Sequence, residues 1–297
     1  MNFRSFTKND TPQIVNLLNI CFPGKNITPN SFNWKHFHNY FNNLTQSYVA
    51  TTDDDQIVCF VCFVPMNITY KSTSVFYFCA VQATHPNYRR QGLVKTLTQI
   101  IEKKLPKNQN YLGFSNTDGV KIDRFSKTIN YRIIGQLSTR FLIPRPHLST
   151  YQFIPSTELS FDTISGYIQI YKNQPYLNWR YFQNPKNKYQ IFDVLYHQQK
   201  IGSIIYKKKL FRGELCDINL KTNNPKTWQS VISDFAFYCF LKGQLFSSLT
   251  FLPNKFWTVV FPNKFPRINI DIYLTVKSVN NYYQNPNHWL IQGGDIQ

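Results

Sequence analysis

No apolar run in this chain is long enough to cross a bilayer. The longest, Ile57 to Val64, falls far short of the roughly 20 residues that a membrane helix needs. The N-terminus, Met1-Asn2-Phe3-Arg4, lacks the apolar stretch of a signal peptide. The cytosol is therefore the expected compartment. Acidic residues are scarce too: 15 Asp and Glu stand against 33 Lys and Arg, a formal charge of +18. That excess suits a polyanionic partner. Yet no five basic residues adjoin, and the densest group is Lys207-Lys208-Lys209, which argues against nucleic acid. There is no Gly-x-Ser-x-Gly elbow, no His-Glu-x-x-His, no P-loop and no cluster of metal-ligand spacing. Of the six cysteines, Cys59 and Cys62 have zinc-like spacing but sit in a strand-like run. Positions three apart on a strand face opposite ways, so both read as core rather than as ligands or nucleophiles.

What is present is enough for a packed interior. The 297 residues are 42% hydrophobic and only 16% charged, room for one large domain or two ordinary ones. Strand and helix patterns alternate. Phe3 to Phe6 reads as a strand, and Asp10 or Thr11 as the cap of a helix carrying Ile14, Val15, Leu17, Leu18 and Phe22. Asn30 to Phe41 reads as a second helix. Ser47–Thr51 and Gln56–Val64 read as a hairpin, and Val75–Val81 as a strand. A loop, Thr84-His85-Pro86-Asn87-Tyr88-Arg89-Arg90-Gln91-Gly92, then leads into a helix with Leu93, Leu97, Ile100, Ile101 and Leu105 on one face. The first-turn N–H groups of a helix lack intrahelical partners and lie at its positive end, so they bind phosphate. Gly92 lets backbone approach such a group closely. Tyr111–Asn116 reads as the next strand, Val120–Thr128 as a helix, and Tyr131–Gly135 and Thr139–Ile143 as closing strands.

Thr84-x-Pro86-x-x-Arg89-Arg90-Gln91-Gly92-Leu93 resembles the acyl-coenzyme A signature of the GNAT N-acetyltransferases, Val-x-Pro-x-x-Arg-x-x-Gly-x-Gly/Ala. Two positions depart from it: Thr84 replaces Val, and Val94 replaces the last Gly or Ala. The resemblance implies that Thr84, Arg89, Arg90, Gln91, Gly92, Leu93, Val94 and Lys95 form the cradle of the coenzyme A pyrophosphate. It also implies that the strand before them splays to seat the thioester, and that Asn116 lies near the coenzyme A arm. It implies direct acyl transfer from acetyl-CoA to a small amine, with a base to take the amine's proton. The family's usual tyrosine acid would fall at Ser126, so Ser126 is the candidate acid and His85, beside the loop, the candidate base; His36 and Gln82 are further polar candidates.

Beyond Pro144-Arg145-Pro146-His147 the chain repeats itself. Phe32-Asn33-Trp34-Lys35-His36-Phe37-His38-Asn39 aligns with Leu177-Asn178-Trp179-Arg180-Tyr181-Phe182-Gln183-Asn184 at an offset of 179 − 34 = 145. Phe114-Ser115-Asn116 aligns with Leu252-Pro253-Asn254 at 138. Gln190–Tyr196 and Lys200–Tyr206 repeat the hairpin. The ending Trp289-Leu290-Ile291-Gln292-Gly293-Gly294-Asp295 resembles the terminus of some two-domain GNAT proteins. The expected fold class is thus α/β in the mixed α+β sense: tandem GNAT-like domains, each a mixed twisted sheet flanked by helices. Residues 1–146 would carry the acyl-CoA loop. Residues 147–297, which have no Arg-x-x-Gly between Glu214 and Trp228, would be a degenerate copy with a structural or acceptor-binding role. Trp34, Trp179 and Asp295 are candidates to line an acceptor site between the copies. The leading expectation is an acetyl-CoA-dependent N-acetyltransferase acting on a primary amine, such as an amino sugar. A non-catalytic acyl-CoA-binding module and a tRNA-dependent aminoacyl transferase are the alternatives.

Overall fold

The computed structural model of the chain describes residues 1–40, 46–116, 131–262 and 267–295. In the first half the elements are β1 Asn2–Ser5, α1 Thr11–Cys21, α2 Pro29–His36, β2 Gln46–Thr51, β3 Ile57–Thr69, β4 Thr73–Thr84, α3 Leu93–Lys104, β5 Asn110–Ser115 and β6 Arg132–Leu142. The second half adds β7 Gln152–Ser156, β8 Gln169–Ile170, α4 Gln174–Leu177, β9 Gln190–Tyr196, β10 Gln199–Lys208, β11 Arg212–Leu220, α5 Pro225–Leu241, β12 Phe246–Phe251, α6 Lys255–Val260 and β13 Arg267–Lys277. Helix α4 runs on as a π-turn over Asn178–Phe182. The helix expected at Val120–Thr128 and the candidate acid Ser126 lie outside the described residues.

Local chemistry accounts for several boundaries. Strand β3 continues past Pro65, where the sequence pattern stops, because its ladder to β2 ends at Phe63 and no described neighbour asks for an N–H there. His197 and Gln198 take left-handed conformations (φ 45° and 63°) in the two-residue turn between β9 and β10. Asp10 was expected to cap α1, but its carboxylate instead accepts from Arg4 Nη1 and Nη2 at 2.8 and 2.9 Å and from the Thr7 N–H at 2.7 Å. The hydrogen-bonded Arg4 guanidinium holds that carboxyl below the usual range and ties β1 to the entry of α1.

The described strands make one mixed sheet in the order β1-β2-β3-β4-β5-β13-β6-β12-β11-β10-β9-β7, with β8 paired to β3 off this path. The order is palindromic. Pairs β4–β5 and β11–β12 are parallel, and every other neighbouring pair is antiparallel. Strand β6 comes from the first half of the sequence yet lies beside β12, and β13 from the second half lies beside β5. The two also pair with each other at the centre. The expected closing strands 131–135 and 139–143 are one strand that closes the other half's sheet. Helices α1 and α2 cover one face of the first half, packing on Val49, Phe60, Cys62 and Val64, while α3 covers the other through Leu93, Leu97 and Ile101. Cys59 and Cys62 belong to these two opposite cores.

The repeat read at offset 145 is a physical contact. Trp34 of α2 and Trp179 of the π-turn stack with centroids 5.0 Å apart and planes at 21°. Each indole N–H donates to the other's backbone carbonyl at 3.0 Å. Asn39 repeats the relation with Asn184: each side-chain amide donates back to the carbonyl four residues earlier, Lys35 and Arg180. Trp34 and Trp179 therefore pack on each other about a pseudo-two-fold axis, each still partly exposed.

Trp34→Phe keeps the ring but loses one donor, and a net cost of about 1 kcal/mol is expected in urea unfolding. With Trp179→Phe the double mutant should deviate from additivity, because the pair acts as one unit. A second expectation concerns the junction. His147 Nε2 lies 2.6 Å from Asp234 Oδ1, whose other oxygen accepts from the Thr150 and Tyr151 N–H groups at 2.6 and 3.1 Å. The hydrogen bond to Asp234 raises the His147 pKa above its ordinary 6.5. Its stabilisation is therefore complete below the unfolded value and is lost as pH rises through the folded one. The Tm gap between the wild type and His147→Gln should be widest below about pH 6.5 and close above it.

Candidate active site

Strand β4 pairs with β5 only from Phe76–Asn110 to Cys79–Gly113. Beyond that point the two parallel strands separate, although β4 runs to Thr84 and β5 to Ser115. Ala80 sits at the fork as an unpaired bulge against β3, since Cys62 faces Val81 and Phe63 faces Cys79. Along the diverging arm Cys79, Ala80, Val81 and Gln82 stay partly exposed. From Ala80 to Thr84 the strand runs about 13 Å, toward the loop singled out in the sequence.

That loop is fixed at its base and open at its tip. The Thr84 carbonyl accepts from Arg89 Nε at 3.3 Å and from the Cys21 thiol at 3.2 Å, and the Thr84 hydroxyl lies 3.3 Å from Cys59 Sγ. The Thr that replaces the signature's Val thus finds a polar partner. Arg90 and Gly92 both take left-handed conformations, φ 66° and 75°. Gly92 is the N-cap of α3, with open space where a side chain would project. Having no side chain, it leaves the first-turn N–H groups of Leu93, Val94 and Lys95 without a side-chain cap, and an anion there gains roughly 0.3–1 kcal/mol from the helix end. Arg89, Arg90, Gln91 and Lys95 are exposed around this end. Leu93 is buried, and Val94 packs against the same core. The bulk of Val94 therefore turns inward, away from the loop's mouth. Asn116 stands exposed just past the end of β5, on the other side of the fork.

The described catalytic candidates lie on different elements: Gln82 on the arm of β4, His85 at the loop's start and His36 on α2. His85 belongs to the loop's 3₁₀ turn, and its Nδ1 accepts from the Asn87 N–H at 3.4 Å. It lies five residues from the fork. His36 is buried with Nδ1 3.2 Å from Cys62 Sγ, and burial drives its pKa well below 6.5, so it is a neutral core residue. Sequence reasoning passed over Lys35. Its Nζ lies 3.4 Å from the carbonyl of the bulge residue Ala80. A polar residue on the helix that covers the fork was the available signal.

The second half builds the same fork and fills it. Strands β11 and β12 pair from Arg212–Phe246 to Leu215–Leu249 and then part, and Cys216 is the unpaired bulge. The structural offset here is 216 − 80 = 136, so Asn116 corresponds to Leu252 and not to Asn254. Into this fork runs the C-terminal tail. Leu252 donates its N–H to the Ile291 carbonyl at 3.2 Å, and the Gln292 side chain bridges the Ile218 N–H and carbonyl at 2.9 and 3.0 Å. Asp295, a candidate from the sequence to line an acceptor site, is buried and lies 2.8 Å from Lys172 Nζ, which also meets Asp217 at 2.7 Å. Tyr181 hydrogen-bonds Asp217. Burial, opposed by Lys172, pushes the Asp217 pKa up to about 6. Leu215, Cys216, Asp217 and Ile218, the counterparts of Cys79 to Gln82, are fully buried. The following helix α5 is capped by Asn224, whose side chain accepts from the Lys226 N–H at 3.0 Å. The second fork thus has neither an open arm nor an uncapped helix end.

Two halves of this kind, each with a parallel pair that parts at a bulge, define a tandem acyltransferase-type fold. Residues 2–114 match the family model described as acetyltransferase (GNAT) domain. Among solved structures, a conserved Enterococcus faecalis protein of unknown function aligns over 94% of this chain and 72% of its own, with a TM-score of 0.66 at 12% identity. A GCN5-related N-acetyltransferase from Anabaena variabilis aligns over 94% and 73%, with a TM-score of 0.63 at 14% identity. A tandem GNAT protein from the clavulanic acid biosynthesis pathway aligns over 94% and 98%, with a TM-score of 0.61 at 8% identity. No curated protein matches the chain. Residues 2–114 thus match a GNAT acetyltransferase domain, and 94% of the chain takes the fold of tandem GNAT structures. Among the described residues no helix is long and apolar enough to cross a membrane.

Gly294 tests the filled fork. A Cβ there would strike the Tyr181 hydroxyl and the Asp217 carboxylate. Gly294→Ala should cost about 1–3 kcal/mol in denaturant unfolding through overpacking.

Proposed function

We propose that the chain is an acetyl-CoA-dependent N-acetyltransferase that transfers the acyl group directly to a primary amine in a ternary complex. The observation that carries this reading is the contrast between the forks. The first is open, with an uncapped helix end at its mouth; the second is plugged and capped. In this reading residues 1–146 hold acyl-CoA, and residues 147–297 are a degenerate copy that supports the first and flanks the acceptor. The uncapped first-turn N–H groups of Leu93, Val94 and Lys95, with exposed Arg89, Arg90 and Gln91 around them, suit a pyrophosphate. The arm from Thr84 to Ala80 suits an extended pantetheine running to the fork, with Asn116 across from it. Helix α2 overlies the fork, so a small amine such as an amino sugar would approach from its side. The Nε2 of His85 and the hydroxyl of Ser126 are the groups proposed to take and return protons, and a thiolate, with a thiol pKa of about 8.5, leaves with little help.

The test is thermal unfolding with acetyl-CoA, followed by thiol release in the presence of a panel of amines. Ligand at about 100 times its Kd stabilises the fold by about 2.7 kcal/mol, a clear rise in Tm. Arg90→Ala should weaken that rise and Gly92→Glu abolish it, while Lys226→Ala, at the capped second helix, leaves it unchanged. A rise that survives Gly92→Glu overturns the loop assignment. Binding without thiol release on any amine favours the non-catalytic module. No binding, with retention on transfer RNA at physiological salt, favours the aminoacyl transferase.

A further inference from the structure

The duplication supplies an internal template for what touches a fork's occupant. In the second half the occupant is visible: it is the tail around Gly294. The residue that holds it is Arg180, whose Nε and Nη2 donate to the Gly294 carbonyl at 3.0 and 2.7 Å. By the 145 offset, which the Trp34–Trp179 and Asn39–Asn184 pairs bear out in space, the first-half counterpart of Arg180 is Lys35. Lys35 already reaches the fork, with its Nζ 3.4 Å from the bulge carbonyl of Ala80. The side chain at this position thus meets the occupant's carbonyl in the second fork, and in the first it stands at the fork's wall, where a carbonyl of an occupant would come within its reach. In the first fork, on the acyl-CoA reading above, that carbonyl belongs to the thioester.

We infer that Lys35 is itself an acyl-accepting amine, modified by acetyl-CoA bound in the first fork when no acceptor intervenes. The step balances without a further reactant. The neutral Nζ attacks the thioester carbonyl carbon, an N–C bond forms, the C–S bond breaks, and coenzyme A leaves as thiolate. The proton released from Nζ goes to that thiolate, giving the free thiol and an uncharged amide on Lys35.

The surroundings favour the neutral amine. Burial first of all lowers the Lys35 pKa, and the nearby Arg180 and Lys25 add to the effect. The neighbouring thiols Cys62 and Cys79 are pushed upward by burial, Cys62 to about 12, so they remain uncharged at neutral pH; so does His36. Among the described residues no carboxylate pairs with Lys35, in contrast with Lys172, which Asp217 and Asp295 keep charged against the cost of burial.

The experiment incubates the full chain with acetyl-CoA alone and quantifies acetylation of every lysine by peptide mass spectrometry. Lys35 should be modified at least about tenfold faster than exposed lysines, from proximity to the bound thioester. Its rate should level off at a lower pH than theirs. In Gly92→Glu, Lys35 should fall to the background rate while exposed lysines are unaffected; Lys35→Arg, checked for an unchanged Tm, should remove the fast site. A Tm rise with acetyl-CoA in which Lys35 reacts no faster than exposed lysines overturns the inference and leaves the acyl-CoA reading standing. Absence of both the Tm rise and the fast site overturns the acyl-CoA reading and this inference together.

Discussion

The pairing of β6 with β13 is the constraint on which the rest of the molecule depends. Each strand closes the sheet of the opposite half, so neither half completes its own β5-type edge without the other. A strand edge left open exposes a row of unpaired donors and acceptors. Exchange removes both edges at once and fuses two sheets into one. It also sets the pseudo-two-fold axis that brings Trp34 against Trp179 and Lys35 near Arg180. A reciprocal indole-to-carbonyl bond is available only when the two helical segments meet symmetrically.

Within that symmetric frame the two forks have diverged by simple means. Both keep a parallel pair that parts at a one-residue bulge, because a bulge twists one strand out of register and leaves the pair nothing to bond beyond it. What differs is what satisfies the freed groups. In the second half the tail supplies hydrogen bonds to Ile218 and Leu252 and a buried charge cluster of Lys172, Asp217 and Asp295. Asn224 supplies the helix cap. In the first half Gly92 gives no cap, and the arm from Cys79 to Gln82 stays partly exposed. An uncapped helix end and an unpaired strand arm are stable in water but bind a ligand's polar groups better.

Much of this was legible in the sequence. The strand–loop–helix around Gly92 was readable because its signals are local: a β-rich run, a basic turn, a glycine and a helical stripe. The tandem repeat was readable at Trp34 and Trp179 because a large aromatic at a fixed offset survives divergence. The match of Asn116 to Asn254 was out of register by two residues, since short polar loop segments carry little information about alignment. Asp10 does hold the N-cap position of α1, but its carboxylate serves Arg4 and not the helix N–H groups, and only the position of Arg4 decides that.

The sequence alone determined the strand–loop–helix at Gly92, most of the first half's strands and helices and the existence of two copies, because periodicity, turn residues and glycine act over a few neighbouring positions. Tertiary structure alone decided that the closing strands cross over, that Asp295 is buried with Lys172, that the tail fills the second fork, and that Lys35 stands at the first. Each of those contacts joins residues far apart in the chain, and no local pattern encodes which distant partner satisfies a freed carbonyl or a buried charge.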